Sequence, residues 1–177
     1  MPLYRRTYTK SAVQNLIYQS ECRRLEPHRP PGHTVSLHAD MRQDITDHRQ
    51  GRIIHLACTV EAGAKMDSTQ TFSPLPAHSV PSTDSRFASR KDLILAVHQG
   101  LNSSVGQLKL GEFDADPSKN RVTFKANLAP PTQNIERYRN QTGVHEVGLS
   151  ANGVFLVIDR LPDGEIHLQT AYPTDVI

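Results

Sequence analysis

Residues 153–173, GVFLVIDRLPDGEIHLQTAYP, constrain the fold of this chain more than any other stretch. A strongly apolar run is followed by a turn built on Pro162-Asp163-Gly164 and a return run through Ile166 and Leu168. Proline presets one turn torsion and glycine accepts the positive φ that closes the turn, so these residues predict an antiparallel hairpin. Residues 121–128 alternate Val122, Phe124, Ala126 and Leu128 against Arg121, Thr123, Lys125 and Asn127, which predicts a further strand. Residues 105–110 and 144–149 read as shorter strands, and residues 52–60 alternate Ile54, Leu56, Cys58 and Val60 as another.

Helical signals fall mostly before this β-rich half. Val13, Leu16 and Ile17 stand at helical offsets after a cap at Ser11, predicting a first helix over 12–26. Val35, His38, Met41 and Ile45 recur at spacings of three and four, predicting a second from Thr34 to His48. Ser89 followed by Asp92 resembles a capping box and opens a third over 89–102. Residues 1–11 are a basic, aromatic arm, and residues 61–86 form an irregular excursion. The expected architecture is α+β, with N-terminal helices packed against a C-terminal antiparallel sheet. The division expected is an arm and the start of the first helix over 1–20, then one domain over 21–177.

Bulk properties narrow the class. Twelve prolines in 177 residues disfavour a helical bundle, and a formal net charge of +2 neither demands nor forbids a nucleic-acid partner. No run is apolar enough for a membrane span, and no signal peptide is read. Cys22 and Cys58 lack metal-ligand spacing and read as two free thiols, with a single bridge between them as the alternative. No His-Glu-x-x-His pattern or aspartate cluster points to a metal, and Asp114 and Asp116 read as a turn.

On the return strand, strict period two would place Ile166, Leu168, Thr170 and Tyr172 on one face. Glu165, His167, Gln169 and Ala171 would take the other, making His167 a solvated residue. The apolar face would then run into a cleft floored by the Thr170 and Tyr172 hydroxyls, or end as an ordinary sheet rim. His33 follows Gly32 ahead of a predicted helix, where an imidazole and backbone amides can meet an anion. Arg42 lies within reach of the same anion, and His38 falls on the apolar stripe of that helix.

LEPHRPPGHTVSLHADM (25–41), STDSRFASRKDLILAVHQGLN (82–102) and LQTAYPT (168–174) occur in one order. Together they resemble the bacterial RNase A-like toxin domains at the C-terminus of contact-dependent inhibition and related polymorphic toxins. His28, Gly32, His33, Thr34 and His38 fall on the opening motif of that family. Arg29 stands where it carries glutamate, and Pro31-Gly32 where it carries two glycines. The resemblance implies an RNase A-like fold and a metal-independent, cofactor-free endoribonuclease acting on RNA such as tRNA. It further implies a cognate immunity protein as partner, a monomer, and delivery from the producing cell into a target-cell cytoplasm. The active site it implies is His33, Arg42, Thr170 and Tyr172.

Metal-free RNA cleavage sends the 2′-hydroxyl against the adjacent phosphate, giving a 2′,3′-cyclic phosphate. It needs a base, an acid and donors for the charged transition state. His33 suits the base, with an ordinary pKa of about 6.5. Arg42 suits the phosphate as a cationic fork, Thr170 a non-bridging oxygen, and Tyr172 the orientation of the phosphate or the leaving group, with His38 as a second acid. Scattered cations such as Arg121, Lys125, Arg137 and Arg139 would give RNA its footing. Two other classes compete. An ADP-ribosyltransferase-type effector would need Glu146 or Glu165 as its catalytic carboxylate, and a non-catalytic binding or adaptor module would need no site at all.

Overall fold

A computed structural model describes residues 3–22, 34, 39, 54–56, 72–74, 83–139 and 142–175. In chain order the elements are α1 (Lys10–Cys22), β1 (Ile54–Leu56), β2 (Phe72–Pro74), β3 (Thr83–Arg86), α2 (Arg90–Asn102), α3 (Ser104–Ala115), β4 (Arg121–Arg139), β5 (Val144–Arg160) and β6 (Ile166–Thr174). The result is an α+β fold in which helices pack on a curled antiparallel sheet ordered β3-β4-β5-β6, while β1 and β2 pair separately. No described helix is long and apolar enough to cross a membrane.

The predicted hairpin is present as β5, β6 and the intervening turn. Gly164 takes φ 83°, and its N–H donates to Leu161 O. Alternation on β4 buries Val122, Phe124, Ala126 and Leu128 and exposes Arg121, Thr123, Lys125 and Asn127. Opposite them on β5, Ile158, Leu156 and Val154 face the same way. Leu93, Val97 and Leu101 of α2, Leu110 and Phe113 of α3, and Val13 and Ile17 of α1 close this core from the helix side. Burying a large aliphatic side chain stabilises by about 1.5–3 kcal/mol, so this one face dominates the apolar contribution to stability.

β4 continues well past the predicted end. Pro130 and Pro131 have no N–H for the ladder; pairing breaks after Asn127, resumes at Thr132 opposite Ala151, and shifts again before Ile135 and before Arg137. These irregularities bend β4 and β5, so that the far half of β4 receives β3, with Arg86 opposite Glu136. Arg86 clamps that carboxylate through Nε (3.1 Å) and Nη2 (2.8 Å). The curl also carries β3 to the end of β6, where buried Ser85 Oγ donates to Pro173 O at 2.8 Å.

The strand expected over 105–110 is instead part of α3. Leu108 and Leu110 suggest alternation, but the buried residues are Gly106, Leu110 and Phe113, at helical spacings of four and three. Ser103 makes the corner. Its Oγ donates to Gly100 O (2.7 Å) at the end of α2 and accepts from Gly106 N (3.0 Å) at the start of α3. Asp114 and Asp116 therefore close a helix, with Asp116 as its C-cap. At the start of α2, Ser89 accepts from Asp92 N and donates to Asp92 Oδ2, as the capping motif predicts.

The basic arm is docked. Tyr4 and Arg5 N–H groups donate to the two oxygens of Asp114, and the Tyr4 hydroxyl donates to Gly164 O. The Tyr4 ring meets Phe113 edge-on at 5.4 Å. Of the predicted helix 34–48, Thr34 is helical and buried and Ala39 is buried; the rest lies outside the described residues, as do the side chains of Cys22 and Cys58. Only 54–56 of the predicted strand 52–60 is described, and β2 and β3 fall inside the stretch read as an irregular excursion.

Candidate active site

A β-bulge in β6 sets the geometry of the site. Ile158 of β5 pairs with Leu168, but the next residue, Val157, pairs with Thr170, leaving Gln169 as the extra residue. Adjacent residues of β5 face opposite ways, so Leu168 and Thr170 do too. The strict alternation expected for β6 is therefore overturned. Ile166, Leu168, Ala171 and Pro173 face the helices, whereas His167, Thr170, Tyr172 and Thr174 share the opposite face. His167 is not a solvated residue: it is 1 % exposed and stands on the same face as the two hydroxyls.

The registers of β4, β5 and β6 turn this face into rows. Arg121, Asp159 and His167 form one, Thr123, Val157 and Thr170 the next, and Lys125, Phe155 and Tyr172 the third. In the first row Arg121 grips Asp159 with two parallel bonds, Nε to Oδ1 (2.6 Å) and Nη2 to Oδ2 (2.8 Å). The carboxylate is buried while the guanidinium is half in water. That pairing holds the Arg121 cation above its already high pKa. In the third row the Phe155 and Tyr172 rings stack at 5.0 Å with 28° between their planes. Burial pushes the Tyr172 phenol above its ordinary 10, so its hydroxyl stays protonated and is a hydrogen-bond donor near neutrality.

Thr170 is the chemically conspicuous member. It is 8 % exposed, and its Oγ1 is buried without a hydrogen-bond partner among the described residues. Leaving a buried hydroxyl unsatisfied costs about 1–3 kcal/mol, which a bound acceptor would recover. Thr34 Oγ1 is in the same condition, one residue after His33.

Of the residues singled out from the sequence, Thr170 and Tyr172 come together on one face of β6, at the edge of the sheet, while His33, His38 and Arg42 lie outside the described residues. Among the scattered cations, Arg121 and Lys125 share that face. Arg137 pairs with Asp175 and Arg139 with Glu146 in the far half of the β4–β5 ribbon. Sequence reasoning missed His167, Asp159 and Phe155. An apolar run interrupted by Asp159 was the one available signal, because a carboxylate inside such a run must meet a cation.

No family model and no curated protein matches the chain. Among solved structures, one chain of "Crystal structure of CdiA-CT/CdiI complex from Y. kristensenii 33638" aligns with 55 % of this chain and 81 % of its own length. The identity is 16 % and the TM-score 0.43.

Proposed function

We propose that this chain is a ribonuclease toxin domain of RNase A-like fold that cleaves RNA without a metal. The observation that carries the reading is the buried Thr170 hydroxyl beside Tyr172, without a hydrogen-bond partner among the described residues, on a face whose exposed rim is cationic. The ordered sequence blocks shared with the toxin domains support it independently. In the reaction, the 2′-oxygen forms a bond to phosphorus as the bond from phosphorus to the 5′-oxygen breaks. His33 takes the 2′ proton and His38 delivers one to the 5′-oxygen. Arg42 holds the phosphate, Thr170 donates to a non-bridging oxygen, and Tyr172, kept protonated by burial, orients the phosphate. Delivery into a competitor cell, tRNA as one substrate and neutralisation by an immunity protein complete the proposal.

The test is cleavage of RNA by purified protein in EDTA, with the new 3′ ends identified chemically. The reading expects 2′,3′-cyclic phosphate ends, and a loss of at least about a hundredfold in His33→Ala and in the Thr170→Ala/Tyr172→Phe pair. Full activity in those variants would remove the site assignment. Intact RNA under all conditions would favour a binding or adaptor module.

A further inference from the structure

Residues 4–8 of the arm are held as a ligand is held. Their backbone joins no helix or strand, and side chains of α2 and α3 satisfy it instead. Asp114 accepts the consecutive N–H groups of Tyr4 and Arg5 on its two oxygens, each at 3.0 Å. The Asn102 amide answers both backbone groups of Tyr8: Oδ1 accepts from its N–H and Nδ2 donates to its carbonyl, each at 2.9 Å. Gln107 Nε2 donates to Arg6 O at 2.8 Å. Two rings four residues apart anchor the segment. Tyr8 is buried, and Tyr4 meets Phe113 edge-on with its hydroxyl on Gly164 O at 2.7 Å. Arg5, Arg6 and Thr7 between them are exposed. From this we infer that the α2–α3 corner is a binding site for a Tyr-x-x-x-Tyr peptide segment, which residues 4–8 fill as an exchangeable strap. The inference goes beyond the ribonuclease reading and does not rest on it.

Two observations make the strap separable from the core. Thr9 closes the first turn of α1 without it: Oγ1 accepts from the Ala12 N–H at 3.1 Å and the carbonyl from the Val13 N–H at 3.0 Å. The helix therefore keeps its capped end when the strap lifts. The packing around Tyr4 is also open. A cavity of about 480 Å³ is lined by Tyr4, Leu16 and Ile166, and a second of about 690 Å³ by Tyr4, Phe113 and Pro162. Asp163 and Gly164 border both, so the Tyr4 ring partitions a trough and is not part of a close-packed interior. A segment held by hydrogen bonds and few apolar contacts opens at lower free energy than a core does. The Asp114, Asn102 and Gln107 contacts read backbone groups that any residue carries, so the two tyrosines supply the selectivity. Lifting the strap also frees Gly164 O, in the turn that leads into β6 and so to Thr170 and Tyr172.

The test is binding of an acetylated, fluorescein-labelled peptide of residues 3–9 to the full chain and to its Tyr4→Ala/Tyr8→Ala variant. The variant keeps Asp114, Asn102 and Phe113 and empties the two ring positions. In the wild type the tethered strap competes at an effective concentration on the order of millimolar. Fluorescence anisotropy should therefore show the peptide binding the folded variant at least about tenfold more tightly than the wild type. The same peptide carrying Tyr4→Ala and Tyr8→Ala keeps its charge and should bind the variant at least about tenfold more weakly. Adding Asp114→Ala to the variant should weaken binding of the unaltered peptide as much. Equal binding to the wild type and the folded variant, or binding indifferent to the tyrosines or to Asp114, overturns the site. If the variant does not fold, hydrogen exchange of the wild-type chain decides. A Tyr8 amide protected at least about tenfold less than that of Ile17, in the buried part of α1, supports the strap. Equal protection of the two makes residues 4–8 part of the core and overturns it.

Discussion

Asp159 and Arg121 divide their shared ion pair unequally. The carboxylate side chain is 4 % exposed and the guanidinium 54 %. Removing Arg121 strands a buried charge, whereas removing the charge of Asp159 leaves a cation already half in water. Arg121→Met should therefore cost about 3 kcal/mol and Asp159→Asn about 1 kcal/mol, as measured by urea unfolding at neutral pH. Equal losses would contradict the asymmetry. The tyrosines make a second residue-scale prediction. Burial raises the phenol pKa of both Tyr8 and Tyr172 above 10. Above pH 10 the unfolded chain releases these protons before the folded one, so fewer protons are bound in the unfolded state and stability falls as pH rises. Unfolding midpoints between pH 9 and 11 should fall more steeply in the wild type than in a Tyr8→Phe/Tyr172→Phe variant; parallel curves would exclude this origin.

The bulge in β6 links an edge strand to a helix. The Leu168 N–H donates to Ser20 Oγ of α1 at 2.8 Å in a buried setting. Ser20→Ala leaves that amide without its acceptor, and denaturant unfolding should show a loss of about 1–3 kcal/mol. A loss within error would mean that the amide finds another acceptor. This element also marks the limit of what the sequence discloses. The hairpin, the Ser89 cap and the alternation of β4 were legible because each follows from local chemistry: turn residues, a hydroxyl before a helix, strict period two. Gln169 carries no such mark. A bulge at a non-glycine residue leaves the composition unchanged yet turns every later side chain over, so strict alternation puts Thr170 on the face of Leu168. His167 stands ahead of the bulge and on the face that alternation gives it; the error there is that this face is buried and not solvated. The same weakness of short apolar patterns made a strand of 105–110, where Ser103 as a shared cap was the decisive and overlooked cue.

At the scale of the molecule, the class was readable and the curvature was not. Helical and strand signals separate along the chain, which fixes an α+β arrangement. Bends at Pro130-Pro131 and at the irregular pairs of β4 and β5, together with the Ser85–Pro173 closure, arise from long-range registers that no local window contains. Half of the site was legible in the same sense: Thr170 and Tyr172 are neighbours by alternation, while their rows with Phe155, Lys125 and Asp159 depend on strand pairing. The most direct test of the whole account is RNA cleavage in EDTA by Thr170→Val, followed alongside its unfolding free energy. Valine keeps the shape and removes the hydroxyl that has no partner among the described residues. The predicted result is stability unchanged or higher by up to about 1 kcal/mol, with cleavage reduced by about a hundredfold or more. A Thr170→Val protein that cuts RNA at the wild-type rate would contradict it.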